Sequence, residues 1–242
     1  MASRLTPVST PWTRIAPARR ELLEALVAEY AQHYARGRTA IAIDGPDGAG
    51  KTTFADDLAT AFARAGHTVF RASIDDFHRP RELRYRAGRH SAEGYYRDAF
   101  DYSLFRRVLL EPFRMGGSTG FQLRGFDLRR DVPVESAWVT GPADAILLVD
   151  GVFLNRAELR GVWNWSLWLD ASAKVRLARM VERDGVDPSP KAESNLRYAG
   201  AQALYVRDAH PNTAADAIVD NTDPEAPKRR FADFCSVAPA PL

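Results

Sequence analysis

The sequence predicts an α/β protein: one parallel sheet with helices on both faces. Three observations carry that expectation. Short runs such as 39–44 and 145–150 are apolar almost throughout, as strands buried on both faces are. Longer stretches between the runs repeat apolar residues at helical spacing, so strand and helix alternate along the chain. Asp44, Asp75 and Asp150 fall at or just past the ends of such runs, and ligands of parallel sheets bind at the carboxyl ends of strands. At 242 residues, 45% hydrophobic and 26% charged, the chain suits one domain with a full core. Those values exclude wholesale disorder and a fibrous fold.

Taken in order, residues 1–15 read as a loose arm carrying Pro7 and Pro11. Leu22, Leu23, Leu26, Val27 and Tyr30 recur at helical spacing, which predicts a helix over 19–34 ended by Gly37. The run 39–44 is a strand that stops at glycines. A helix over 51–65 follows, with Phe54, Leu58 and Phe62 on one face and Gly66 closing it. Residues 68–74 form the next strand, and the polar, Arg- and Gly-rich stretch 79–97 reads as loop or lid. Residues 102–110 are helical and 113–136 irregular, with Gly116, Gly117 and Pro133 breaking them up. Strands follow at 145–150 and 165–170, helices at 174–184 and 196–208, and a short strand at 217–220. The expected organisation is an N-terminal arm and helix over 1–36, a main domain over 37–224 and a tail over 225–242.

Charge and cysteine content narrow the function classes. The 33 basic residues oppose 31 acidic ones, a net charge of +2, which gives no reason to expect a nucleic-acid or polybasic membrane partner. Among the basic residues 29 are arginine, so the 4 lysines stand out. Cys235 is the single cysteine, which excludes an internal disulfide and a cysteine-based metal cage. The 5 histidines are scattered without H-x-x-x-H spacing. No apolar run approaches the roughly 20 residues that span a bilayer, and the N-terminus lacks a signal core. The expectation is a cytoplasmic protein.

Between the first strand and its helix stands Gly45-Pro46-Asp47-Gly48-Ala49-Gly50-Lys51-Thr52-Thr53. This is G-x-x-x-x-G-K-[ST], the phosphate-binding loop. Its glycines let successive N–H groups turn inward onto phosphate oxygens, and the following helix adds its positive end. Lys51 would neutralise the β- and γ-phosphates, and the Thr52 hydroxyl would ligate Mg²⁺. The guanine string N-K-x-D and the transporter string L-S-G-G-Q are both absent, which leaves mainly small-molecule kinases.

The acids at the strand ends then take roles. A kinase acting on an alcohol needs a carboxylate near the acceptor hydroxyl and near Mg²⁺. Asp75 is placed for that, with Asp76 in reserve; the alternative is an Asx turn or helix cap. Asp150 is the second metal anchor, or else a turn residue before Gly151. Arg176, Arg179 and Arg183 share one helix face. A lid closing over ATP would use them on the transferred phosphoryl group; a solvated face paired with Glu182 and Asp184 is the other reading. Segment 79–97 interleaves Arg79, Arg81, Arg84, Arg86, Arg89 and Arg97 with Tyr85, Tyr95 and Tyr96. It reads as a solvated substrate loop, and functional arginines there would suit a phosphorylated acceptor.

These strings, in this order, resemble the uridine kinase and phosphoribulokinase family of P-loop kinases, and most the bacterial uridine kinase-like branch. They are the phosphate loop, D-D-F-H at 75–78, D-A-F-D at 98–101, Phe126-Asp127, D-G-V-F at 150–153, R-L-A-R-M-V-E-R-D at 176–184 and A-D-A-I-V-D-N at 215–221. The resemblance implies a P-loop NTPase three-layer sandwich with a five-stranded parallel sheet. It also implies a lid over 172–190 and a substrate-binding element over 79–136. It implies transfer from ATP to the 5′-hydroxyl of uridine or cytidine, with Asp75, Lys51 and Arg179 catalytic. Arg176, Arg183 and Asn221 would serve ATP beside the loop, and Thr52, Asp75 and Asp150 the metal. Asp76, His78, Tyr95, Tyr96, Asp101, Phe126, Asp127 and Arg130 would line the acceptor side.

Three departures from the family pattern all concern the acceptor. Gly94-Tyr95 stands where uridine kinases carry Phe-Asp. The tyrosine-led Y-D-F…H-S-R string appears as Phe126-Asp127-Leu128-Arg129-Arg130-Asp131, without its histidine. His78 stands where uridine kinases tend to carry tyrosine and phosphoribulokinases tend to carry histidine. The expected function is ATP- and Mg²⁺-dependent phosphorylation of a nucleoside, uridine first, in pyrimidine salvage, by a protein free to form homo-oligomers. Another acceptor (a sugar phosphate, a vitamin, another nucleoside) and a nucleotide-dependent regulatory or RNA-associated protein are the rival readings.

Overall fold

The computed structural model describes residues 11–34 and 36–230. Residues 1–10 of the expected arm, Cys235 and the rest of the tail beyond 230 lie outside them. The strands in chain order are β1 (Thr39–Asp44), β2 (Val69–Ser73), β3 (Phe126–Asp127), β4 (Val132–Pro133), β5 (Ile146–Gly151), β6 (Trp165–Asp170), β7 (Ala217–Asp220) and β8 (Lys228–Arg230). The helices are α1 (Pro17–His33), α2 (Lys51–Arg64), α3 (Arg81–Arg84), α4 (Ala92–Asp98), α5 (Tyr102–Phe105), α6 (Glu111–Met115), α7 (Ala173–Asp184), α8 (Glu193–Ala209) and α9 (Pro211–Ala214).

The main sheet has six strands in the order β2-β5-β1-β6-β7-β8. The first five are mutually parallel, as expected, and β8 adds an antiparallel edge beside β7. That sixth strand comes from residues read as tail: a charged three-residue segment has no apolar pattern to announce it, and backbone pairing alone makes it a strand. Consecutive strand residues face opposite layers. In β5, Ile146 and Leu148 join the core with α1 and α2, while Leu147 and Val149 join the core with α4, α5 and α8. This alternation, inside runs with no polar face, is what makes three layers.

Helix α1 belongs to the core. Leu23, Leu26 and Tyr30 bury against Phe54, Leu58 and Phe62 of α2. Fully burying each such side chain contributes about 2 kcal/mol. On the other face, stretch 79–97, expected as loop or lid, holds two short helices. Ser91 starts α4 by accepting the Gly94 N–H at 3.0 Å. Tyr95 and Tyr96 are buried beneath it. Helix α4 lies so close to α8 that a Cβ on Gly200 would sit 2.7 Å from the Ala92 Cβ. Residues 102–115 are helical throughout, with a wider π turn over Arg106–Leu110 just before Pro112. In 113–136 a small hairpin joins β3 to β4.

Candidate active site

The phosphate loop leaves β1 at Asp44 and enters α2 at Lys51. Its shape is set by what packs behind it. Gly48 has φ +76°, and a Cβ there would lie 2.5 Å from the Arg176 carbonyl oxygen. Helix α7 therefore rests on the loop at a position only glycine fills without strain. Asp44 accepts the Gly45 N–H at 2.8 Å and the Asn155 side chain at 2.9 Å, and the Tyr205 hydroxyl also donates to it. Its complete burial pushes the Asp44 pKa up; these donors and Lys51 pull the other way.

Turning the loop's N–H groups inward leaves carbonyls facing back, and buried carbonyls need donors. The Asn221 amide donates to the Ala49 carbonyl at 2.8 Å. Arg179 reaches the Ala49 carbonyl at 3.3 Å and the Asn221 carbonyl at 2.9 Å. Arg19, from α1, pairs with Asp57 at 2.7 Å and donates to the Asn221 side chain at 3.1 Å. Arg176 donates to the Ala171 carbonyl at 3.0 Å. Arg176 also reaches the Asp47 carbonyl at 3.5 Å, so Arg176, Arg179 and Asn221, the residues expected to serve ATP, all contact backbone carbonyls of the phosphate loop. Of the three lid arginines only Arg183 lines the cavity in front.

That cavity holds about 420 Å³. It brings together the expected Asp47, Gly48, Gly50, Lys51, Thr52, Thr53, Asp75, His78, Tyr95, Asp150 and Arg183. The Lys51 ammonium donates to the Pro46 carbonyl at 2.8 Å. The Thr52 hydroxyl donates to Asp150 Oδ2 at 2.7 Å. Arg71, on β2, holds the other carboxylate oxygen at 2.9 Å and also pairs with Asp56 at 3.0 Å.

Among the described residues Asp75 has no such cation in contact. It keeps accessible surface toward the cleft, yet protein crowds it. Desolvation first, and the neighbouring Asp150 charge second, push its pKa up to about 6, with Lys51 opposing. Thr52, Asp75 and Asp150 are hard oxygen donors at one cavity, the donor type Mg²⁺ selects. Among the described residues no group of three or more acidic, His or Cys side chains could hold a metal alone. An ion at these oxygens would be held jointly by one or two carboxylates and the phosphates of a nucleotide.

On the acceptor side, His78 lies against Phe100 with ring centroids 4.5 Å apart, and its Nδ1 bonds the Asp75 carbonyl at 2.8 Å. Burial pushes the His78 pKa down to about 4, so the ring is neutral at pH 7. Since a carbonyl only accepts, Nδ1 carries the proton and Nε2 is left as the acceptor. The Tyr95 hydroxyl donates to Asp47 at 3.0 Å. Six expected acceptor residues lie away from the cavity. Tyr96 packs in the core with the Arg156 guanidinium 4.6 Å over its ring. Asp101 caps α5 through the Leu104 N–H at 2.9 Å. Phe126 is buried in β3. Asp127 accepts the Arg129 and Arg130 N–H groups at 3.0 Å, so Asp127 and Arg130 close a turn. Asp76 pairs with Arg124 at 3.0 Å.

In their place the cavity is lined by Arg81, Arg84, Tyr85, Leu128, Arg197 and Tyr198. Arg81, Arg84 and Tyr85 belong to the arginine–tyrosine stretch noticed in the sequence. Arg197 and Tyr198, on α8, and Arg71, on β2, carry no local signal: their importance comes from elements that meet only in the fold.

A phosphate loop at the head of a parallel sheet, faced by carboxylates from neighbouring strand ends, defines a phosphotransferase of the P-loop kinase class. A family model described as "Phosphoribulokinase / Uridine kinase family" matches residues 40–194, and the chain belongs to that family. A uridine kinase of Lactobacillus johnsonii is 26% identical over 183 residues, 74% of this chain and 84% of that protein. One of Halobacterium salinarum is 26% identical over 154 residues, 64% of this chain and 66% of that protein. Among solved structures, a possible uridine kinase from Bacillus stearothermophilus has TM-score 0.66 at 23% identity, covering 82% of this chain and 97% of its own. A putative fructose transport system kinase from a Silicibacter species has TM-score 0.56 at 23% identity, covering 80% of this chain and 94% of its own. Among the described residues no helix is long and apolar enough to cross a membrane.

Proposed function

We propose that the chain transfers the γ-phosphoryl group of MgATP to a hydroxyl of a small acceptor. The observation that carries this is the meeting of Lys51, the Thr52–Asp150 contact at 2.7 Å and Asp75 on one cavity. Thr52, Asp150 and Asp75 would hold Mg²⁺ with the ATP phosphates, and the ion would neutralise their charge. Asp75 orients the acceptor hydroxyl and takes its proton. The hydroxyl oxygen bonds the γ-phosphorus as the bond to the β-bridging oxygen breaks, and ADP leaves. Lys51 and Arg183 stabilise the charge on the group in transfer.

Two relatives named uridine kinases support a nucleoside acceptor. On that reading the product is UMP or CMP, made in the cytoplasm for pyrimidine salvage. A second reading, an acceptor with its own negative charge, is favoured by the arginines on the acceptor side of the cavity. The test is ADP release from MgATP with a panel of acceptors. Release stimulated by uridine or cytidine supports the nucleoside. Release stimulated only by charged acceptors supports the second reading. No stimulation, together with tight, salt-sensitive RNA binding, overturns the kinase reading.

A further inference from the structure

The acceptor half of the cavity holds one cation, Arg197, that no acidic side chain among the described residues answers. Among the described residues the Arg197 side chain makes no hydrogen bond and no ion pair, and its Nε is buried without a partner. Its guanidinium instead sits among three aromatic rings, 4.6 Å from the centroid of Tyr95, 5.3 Å from Tyr85 and 5.6 Å from Tyr198. Such a seat fixes a guanidinium in position but leaves its charge in place. Arg84 lies 5.2 Å from the same Tyr85 ring. One of its Nη atoms pairs with Asp131 at 2.7 Å, and its buried Nε is also unpartnered.

The three acids that line the cavity are committed elsewhere. Asp47 accepts from Tyr95, Asp150 accepts from Thr52 and Arg71, and Asp75 stands at the reacting end. In the proposed reaction Lys51 faces the transferred phosphoryl group, and Arg183 pairs with Asp184 at 2.7 Å. A half-buried cation left unanswered is costly, and a neutral acceptor would leave Arg197 so. The planar guanidinium fork matches the two oxygens of a carboxylate or phosphate.

We infer that the acceptor is an alcohol bearing an anionic group, a phosphate or a carboxylate, and that Arg197, assisted by Arg84, binds that group in the cavity that Asp75 lines. This rests on the kinase reading and replaces its neutral nucleoside. The test compares matched pairs as acceptors with MgATP: ribose 5-phosphate with ribose, glycerate with glycerol, and uridine beside them. The charged member of one pair is expected to give a kcat/KM at least tenfold above its neutral partner and above uridine. Which pair responds separates phosphate from carboxylate. Arg197→Met is expected to raise the acceptor KM tenfold or more, with the KM for ATP within about twofold; Arg197→Lys, which keeps the charge without the fork, should fall between.

Uridine as the best acceptor, unaffected by Arg197→Met, overturns the anion subsite and leaves the kinase reading standing. If no compound elicits ADP release, the kinase reading fails, and calorimetric titration of the same compounds into the complex with a non-hydrolysable MgATP analogue decides the subsite. Binding of a charged compound that Arg197→Met weakens tenfold supports it; no binding of any charged compound overturns it.

Discussion

Two carboxylates share the floor of the cleft and are stabilised differently. Asp150 is held by Arg71 and Thr52. The Arg71–Asp150 pair is largely buried, so Arg71→Met strands the Asp150 charge and should destabilise the protein by about 3 kcal/mol, read by urea denaturation. An unchanged midpoint would show that Asp150 needs no cation. Asp75, with no ion-pair partner among the described residues, has its pKa raised from the ordinary 3.8 to about 6. A carboxyl raised on folding favours the folded state at low pH, and that advantage is lost as pH rises through about 6. In EDTA, Asp75→Asn should therefore raise Tm near pH 8 but not near pH 4, while lowering kcat far more than ATP affinity. An equal gain at both pH values would refute the charge argument. Lys51→Ala should cost kcat about a thousandfold and leave Tm within a few degrees. The loop residues were legible because a phosphate cradle demands fixed residue types at fixed spacing. Arg71 and Arg197 were not, since each acts through a partner distant in sequence.

At the scale of elements, the contact between α4 and α8 decides the shape of the acceptor half. It joins Tyr95 to Tyr198, with centroids 5.2 Å apart, and both rings to Arg197. Gly200 permits that approach, since a Cβ there would reach 2.7 Å from the Ala92 Cβ. Gly200→Leu should push the helices apart, cost about 2 kcal/mol and raise the acceptor KM, with ATP binding retained. A loss of ATP binding at an unchanged acceptor KM would place the effect at the phosphate loop instead. The five parallel strands were readable to within about a residue: β1, β5 and β6 are apolar runs buried almost throughout, while β2 and β7 bury alternate residues. Helix α4 was missed because a seven-residue helix capped by Ser91 sits in a polar, arginine-rich stretch. Its two inward tyrosines read as binding residues, and only Tyr95 reaches the cavity.

For the whole molecule, the layers meet at the carboxyl ends of the strands, and the phosphate loop lies where they converge. A ligand that binds only the folded form stabilises it by mass action. MgATP should therefore raise Tm in a concentration-dependent way, and Lys51→Ala should abolish the shift. An equal shift in that variant would mean that ATP binds elsewhere. The clasp behind the loop also imposes an order in time. The loop occupies residues 45–53, but the amide that holds the Ala49 carbonyl belongs to Asn221, 172 positions later. A ribosome makes those two groups far apart in time, and domains assemble as their segments emerge. A nascent chain arrested before residue 221 carries the entire phosphate motif without its rear support. It should not retain ATP on an immobilised nucleotide, and retention should begin once Asn221 clears the exit tunnel. Nucleotide capture would then report that synthesis of the domain is nearly complete.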